Sequence, residues 1–404
     1  MVLTALWLGV AGLAVPLSLL TLYLLVLTAA AIVARRSVVS APGAGAWHRF
    51  AILVPAHNEE ELIGRLLASL KELDYPSDLY EVCVVADNCD DATASIARSM
   101  GARVYERTDR EHKAKGFALR WLLEQLHREQ RTYDAFVMLD ADSLVSTNFL
   151  SSMDARLTGG SQVIQAYYSV YNSGASAVAG LRFAALAAIH YVRPLGRSLF
   201  GLSCGLKGNG MCFAAPVVER FGWRWFTLAE DVEFHLALVR SGLRVQFAPE
   251  AIVQADMPVT LAQAASQNER WERGRLQLLS EYVPGLVLDG LRRRSLVQLD
   301  AAAEQLIPPL SVPFALSGVC LAASIALGAA DLGVIAVLNL LGQMAYLVAG
   351  LVLVRAPVRT YVALSAAPVY IAWKLGLYVR AFLSRRTTSW VRTARVPSGP
   401  SAQA

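Results

Sequence analysis

Residues 50–60 read FAILVPAHNEE and residues 134–142 read DAFVMLDAD. Each is an unbroken apolar run that stops at polar side chains. A run apolar at every position suits a strand buried on both faces, as in a parallel sheet, better than one with a wet face. Between the two, Leu62, Ile63, Leu66, Leu67 and Leu70 have helical spacing. Residues 81–86 predict a second strand, closed by Asp87-Asn88-Cys89-Asp90-Asp91 and followed by a helix to about Met100. Residues 103–105 predict a third strand and residues 115–128 a further helix. Strands alternating with helices imply an α/β domain, doubly wound about a mostly parallel sheet, with ligands bound beyond the carboxyl ends of the strands. The clusters His57-Asn58, Asp87-Asn88 and Asp140-Ala141-Asp142 all fall at such ends.

Outward from this core the chain turns apolar. Of its 404 residues 55% are hydrophobic and 17% charged, and the charges concentrate in the middle. A soluble domain of this size is rarely so apolar. Residues 6–33 exceed the roughly 20 residues that span a bilayer. This tract ends at Arg35-Arg36 with no basic stretch before it, so it reads as an uncleaved helix with its N-terminus outside. Residues 40–47, rich in Ala, Gly and Pro, read as a linker. Residues 276–305 mix apolar positions with Arg292, Arg293 and Arg294, as an interfacial segment does. Apolar tracts follow at 306–329, 332–354 and 361–383.

Three full crossings there would leave Arg385, Arg386, Arg392 and Arg395 outside, against the positive-inside tendency, and Lys374 stands within the last tract. That tract is therefore expected to be re-entrant, broken or partly interfacial. The organisation implied is a membrane helix at 1–36, a cytoplasmic catalytic domain at 48–280, an interfacial segment at 281–305, a membrane region at 306–384 and a basic tail at 385–404. Such a chain is an integral protein of the plasma (inner) membrane. The net charge of +5 lies largely beside the apolar tracts. With no zinc-finger spacing and no base-reading helix, the expected partners do not include nucleic acid. Cys83, Cys89, Cys204, Cys212 and Cys320 lack CxxC spacing and read as reduced, structural thiols.

Three constellations carry chemistry. Asp140 and Asp142, two residues apart at a strand end, can share one hard cation and the diphosphate it bridges. Glu230-Asp231 opens an amphipathic helix, where acids complement the helix dipole and a carboxylate at a pocket edge can take a hydroxyl proton. Gln267, Arg270 and Trp271 share one face of a helix, offering an amide, a guanidinium fork for phosphate oxygens and a flat ring for a sugar.

The order of residues 54–59 (VPAHNE), Asp87 with Asp91, residues 113–116 (KAKG), Asp140-Ala141-Asp142, Glu230-Asp231 and QxxRW at 267–271 resembles family 2 glycosyltransferases. It looks most like their membrane-integrated branch, which includes cellulose, chitin, hyaluronan and poly-N-acetylglucosamine synthases. The resemblance implies a GT-A type domain and an inverting transfer that forms a β-linkage. The donor implied is a nucleotide-sugar, with UDP-sugars expected, and the acceptor a growing polysaccharide or, alternatively, a membrane lipid.

By the same resemblance Asp87 and Asp91 would contact the base, with Pro55, His57 and Glu59 lining that pocket and Lys115 near the donor. Asp140 and Asp142 would hold Mg2+ or Mn2+, with Asp140 also against the nucleotide. Asp231 would be the general base with Glu230 its neighbour, and Gln267, Arg270 and Trp271 would hold the diphosphate and acceptor end. Residues 208–212 lie where such enzymes carry an acceptor loop. His57 in place of a frequent tyrosine, Ala86-Asp87-Asn88 in place of Asp-Asp-Gly, and Ala229 in place of a threonine depart from the better-known synthases. A nucleotide-sugar sensor or a transporter component are rival readings without donor turnover. The sequence leaves the oligomeric state open.

Overall fold

The computed structural model describes residues 2–36 and 46–383. Most of the 40–47 linker and the basic tail lie outside the described residues. The chain divides into two compact units, one made of residues 46–172 and Cys204–Gln277, the other of 2–36, Ser173–Ser203 and 278–383. The segment Ser173–Ser203, which the sequence places inside the 48–280 domain, thus belongs with the apolar helices.

The first unit is built on one eight-stranded sheet: β1 Phe50–Ala56, β2 Tyr80–Asp87, β3 Arg103–Arg107, β4 Ala135–Met138, β5 Ser143–Val145, β6 Val163–Val170, β7 Met211–Ala214 and β8 Val245–Ala255. Their order is β3-β2-β1-β4-β7-β6-β8-β5. The β3-β2-β1-β4 half is parallel throughout. Beyond β4 the sheet becomes mixed: β7 runs antiparallel to both β4 and β6, β6 and β8 are parallel, and β5 is antiparallel to β8. The mostly parallel expectation therefore holds for the half with alternating helices and weakens after it. Within β8 the register slips beside Ala166 and Tyr167, where Pro249 cannot donate to a ladder. Ile52, Val54, Val84, Val137 and Leu139 are fully buried against Leu66, Leu70, Phe149 and Met153, which is why β1 and β4 carry no polar alternation.

Among the described residues of the second unit, three helices are long and apolar enough to cross a membrane, at 3–36, Ala330–Leu353 and 358–380. Helices Leu296–Leu306 and Ser311–Leu327 meet at 67°, as a broken span or re-entrant pair. The break is at Pro308-Pro309, which removes two backbone donors and pushes the preceding residues out of helical geometry. Residues 361–383, expected to be re-entrant, broken or partly interfacial, fall mostly within 358–380, which is long and apolar enough to cross. The last tract stays helical, from Val358–Ala363 through a 3-10 turn at Leu364–Ala366 into Ala367–Leu383.

Several polar side chains pair within the interior of this unit. Asn339 donates to Ser18 Oγ (3.1 Å), and Gln343 donates to Thr21 Oγ1 (3.3 Å) and Ser317 Oγ (3.0 Å). After a π-helical turn at Ala188–Val192, the helix Arg193–Leu199 carries two buried arginines. Arg193 Nε donates to Tyr346 Oη (2.9 Å). Arg197, fully buried, meets Asp300 (2.8 Å), Glu304 (2.7 Å) and Tyr23 Oη (2.8 Å).

Candidate functional site

Two clusters occupy the carboxyl ends of the strands. At the end of β2, Asp87 is buried and pairs with the equally buried Arg107 of β3 (Nη1–Oδ1 2.6 Å). Burial raises the Asp87 pKa above the usual carboxylate value against the opposing pull of Arg107. His57 Nδ1 lies 2.7 Å from the Asp87 carbonyl oxygen, fixing the loop after β1 against the end of β2. Asn88 has φ of 53°, a left-handed conformation that asparagine tolerates better than most residues. It therefore serves a left-handed turn without a glycine, and its side chain reaches Asp87 Oδ1 (3.1 Å) and the Asp109 carbonyl (3.0 Å).

Asp91 accepts backbone N–H groups from Glu60 (3.1 Å) and Thr93 (2.9 Å). It clasps the loop after β1 to the helix Thr93–Ser99. The Glu59 N–H is bound by Thr93 Oγ1 (2.8 Å), and Pro55 is half-buried in β1. Of the acids read as base contacts, Asp87 is thus the more deeply placed, while Asp91 builds the loop around it.

At the end of β4 lies the second cluster. Lys115, the first residue of the helix Lys115–Arg128, places Nζ 2.5 Å from Asp140 Oδ1 and also donates to the Gly208 carbonyl. Gly208 has φ of +76°, and a Cβ there would stand 3.4 Å from Asp231 Oδ2. Asp140, Lys115, Gly208 and Asp231 therefore form one chain of neighbours. The Gly208 loop is held from beneath: Gln165 of β6 accepts from Lys207 N–H (2.9 Å) and donates to the Asn209 carbonyl (2.7 Å). The buried Asn209 side chain donates to Ser143 Oγ (2.8 Å) and accepts from the Asp140 N–H (3.2 Å).

Glu230 and Asp231 open the helix Glu230–Arg240, preceded by Ala229 without a side-chain cap. Desolvation, reinforced by Asp231, pushes Glu230 up to about 7 despite Lys115. Asp231 is also raised, by burial, although helix N–H groups, Lys115 and Lys207 oppose it. For Lys115 burial acts to lower the pKa, but Asp140, Glu230 and Asp231 outweigh it and the net shift is upward.

Gln267, Arg270 and Trp271 all lie on the long helix Leu261–Arg293. Burial lowers the Arg270 pKa while Glu230 and Asp140 pull it upward, so this guanidinium feels the acidic centre. Gly274, one turn beyond, lets the helix approach closely: a Cβ there would stand 2.9 Å from Ala229 Cβ. Trp271 is 37% exposed. Sequence reasoning missed Arg107, Gln165 and Gly274, and it named Asn209 only as part of the loop at 208–212.

Asp142 is half-buried in the turn between β4 and β5. Among the described residues no three acidic, histidine or cysteine side chains converge into a metal cage. Two carboxylates at a strand end nevertheless match a hard divalent cation, which commonly takes one or two carboxylates and completes its shell with substrate phosphates. The Lys115 ammonium already standing on Asp140 shows that this oxygen accommodates a cation.

The sequence pattern of the family described as "Glycosyltransferase like family 2" matches residues 48–274. "Probable glycosyltransferase YdaM" of Bacillus subtilis is 24% identical over 247 residues, covering 58% of this chain and 57% of that protein. "Beta-monoglucosyldiacylglycerol synthase" of Synechocystis is 26% identical over 240 residues, covering 57% of this chain and 48% of that one. The chain therefore spans about half the length of the curated relatives it matches. Among solved structures, the mannosyltransferase PcManGT of Pyrobaculum calidifontis, in complex with GDP-Man and Mn2+, shares the fold. Its TM-score is 0.50 at 18% identity, with coverage of 85% of this chain and 98% of that one.

Proposed function

The chain belongs to the glycosyltransferase-like family 2, and from that premise we propose that it transfers one sugar from a nucleotide-sugar to a membrane-lipid hydroxyl with inversion. The observation that supports this best is the contact chain from Asp140 through Lys115 and Gly208 to Asp231, with Arg270 in electrostatic reach. Asp87 and the loop at His57 form the base end. Asp140 and Asp142 would hold Mg2+ or Mn2+, which when bound supplies positive charge against the departing diphosphate.

Asp231 takes the proton of the acceptor hydroxyl as that oxygen bonds to the anomeric carbon. The bond from that carbon to the diphosphate oxygen breaks on the opposite face, and the nucleoside diphosphate leaves with the electron pair. Arg270 and Lys115 offer charge-assisted donors to the oxygens on which charge develops. An α-linked donor yields a β-linked product.

Lipid is favoured as acceptor by the glycerolipid named in the Synechocystis relative, which reverses the polysaccharide-first order of the sequence reading. Polymer extension is the second reading, carried by the QxxRW residues Gln267, Arg270 and Trp271. In the membrane arrangement that goes with either, the helix at 3–36, Ala330–Leu353 and 358–380 cross, while the 67° pair enters and returns. Parity then puts the basic tail on the side of the catalytic unit, as the positive-inside tendency favours. Single-cysteine accessibility on both sides of the membrane tests this, and a tail labelled from the outside refutes it.

The function is tested by nucleoside diphosphate release from purified protein across a panel of nucleotide-sugars, with Mg2+, Mn2+ or chelator and with diacylglycerol present. Asp231→Asn is expected to abolish transfer and keep donor binding. Loss of both together would refute its assignment as base.

A further inference from the structure

Lys115 stands where two demands compete. Its Nζ occupies Asp140 Oδ1 at 2.5 Å and binds the Gly208 carbonyl as well. A divalent ion held by Asp140 and Asp142 would place a second cation on the carboxylate that the ammonium already occupies. Two cations that close repel, and the half-buried setting of both side chains weakens screening. Lys115 and the ion therefore compete for the Asp140 carboxylate in the observed arrangement. The ammonium cannot simply withdraw. The carboxylates of Asp140, Glu230 and Asp231 all act on it, so leaving them needs another anion within reach of its flexible stem.

A nucleotide diphosphate is such an anion, and it brings phosphate oxygens for the ion as well. We propose that Lys115 is the resting counter-cation of this acidic centre and is exchanged for the divalent ion only when a nucleoside diphosphate group arrives to receive its ammonium. This rests on the reading of Asp140 and Asp142 as the ion's ligands. It makes ion and nucleotide bind as a coupled pair, each raising the affinity for the other by the same factor, with weak ion binding in the nucleotide-free chain. Lys115 thus acts as a positioning residue: it sets the order in which the site fills, in addition to touching the donor.

The experiment is Mn2+ binding to the purified full-length chain, read from the free-ion electron paramagnetic resonance signal. It is run without nucleotide and with UDP or GDP, for the wild type, Lys115→Met, Lys115→Arg and Asp140→Asn. The wild type is expected to bind Mn2+ at least tenfold more tightly with the effective nucleotide. Lys115→Met is expected to gain about tenfold in nucleotide-free Mn2+ affinity and to lose most of the nucleotide enhancement. Lys115→Arg, keeping the charge, should behave like the wild type, which separates a charge effect from a packing effect. Unchanged or weaker nucleotide-free binding by Lys115→Met overturns the exchange while leaving the ion site intact. Mn2+ binding with nucleotide that is insensitive to Asp140→Asn overturns the reading of the ion site itself, and the exchange with it.

Discussion

Replacing Gly274 with alanine should damage turnover far more than stability. The added Cβ would lie 2.9 Å from Ala229 Cβ, 3.3 Å from Ala229 N and 3.4 Å from Leu228 C. Carbon atoms prefer about 3.5–4.0 Å, so the helix must retreat by roughly 0.6–1 Å. Overpacking of this kind costs about 1–3 kcal/mol. Alanine in place of an interior helical glycine returns about 1 kcal/mol of propensity, so the net loss is about 0–2 kcal/mol and the protein folds. Geometry has no such compensation. Arg270 sits one turn before Gly274, and Glu230 and Asp231 follow Ala229 directly, so the retreat moves the guanidinium away from the acidic pair. A 1 Å misplacement can cost about 100-fold in rate. Nucleoside diphosphate release at saturating donor and thermal unfolding should be measured together. Gly274→Ala is expected to lose 10- to 100-fold in rate with a small shift in melting. The double variant with Ala229→Gly removes the shortest contact and should recover at least tenfold. An unchanged rate in the single variant, or no recovery in the double, would refute the reasoning.

Other substitutions probe the remaining features. Arg107→Met strands the buried Asp87 carboxylate and should cost about 3–5 kcal/mol and raise the donor KM; a melting point and KM equal to the wild type would count against Arg107 as its support. Arg197→Met leaves Asp300 and Glu304 facing each other in the apolar helical unit and should destabilise by a similar ~3–5 kcal/mol, measured by unfolding in detergent; a joint change to Met at 197, Asn at 300 and Gln at 304 should restore most of that. Glu230, raised from its usual 4.5 to about 7, keeps in the folded chain a proton that the unfolded chain has released between those values. Stability in chelator should therefore fall as pH rises from about 4.5 to about 7. Glu230→Gln should flatten that slope, and an equal slope in both proteins would contradict the assignment.

How much of this was legible depends on where the partners lie. The strands at 51–55, 81–86 and 134–139 were readable because burial on both faces removes polar alternation, and the helix at 115–128 because its apolar stripe is regular. The strands β5 and β7 are short and β8 is interrupted, and the pairing of this half joins residues such as Val145 and Val253 that no local pattern connects. Arg107 stands beyond the strand read at 103–105, and only the fold turns it onto Asp87. The segment at 173–203 was missed for a related reason. Arg182, Arg193 and Arg197 interrupt its apolar texture, which argues against a membrane-type helix until Tyr23, Asp300 and Glu304 come in from elsewhere in the chain to meet Arg197. Asp140, Glu230 and Asp231 could be found because acids at strand and helix ends stand out. Gln165 carries no such mark: an amide inside an apolar run reads as an irregularity, not as the support of a loop. Asn209 falls in the loop read at 208–212, but nothing local ties its side chain to Ser143.

The position of β7 bears on how the protein is made. This strand fills the slot between β4 and β6, yet it is synthesised after both, beyond the Ser173–Ser203 excursion. A nascent chain that has just passed Asn172 holds the β3-β2-β1-β4 sheet with an open edge at β4, and a β6 whose neighbours β7 and β8 are not yet made. At about 5–20 residues per second, the roughly 40 residues before Met211 take about 2–8 s to emerge. For those seconds the edges of β4 and β6 are available to any neighbouring strand, including those of another nascent copy on the same message. The ribosome's pace through this stretch is thus part of what the protein needs in order to fold, and faster decoding of the codons for 173–210 would be expected to raise soluble yield without changing a single amino acid.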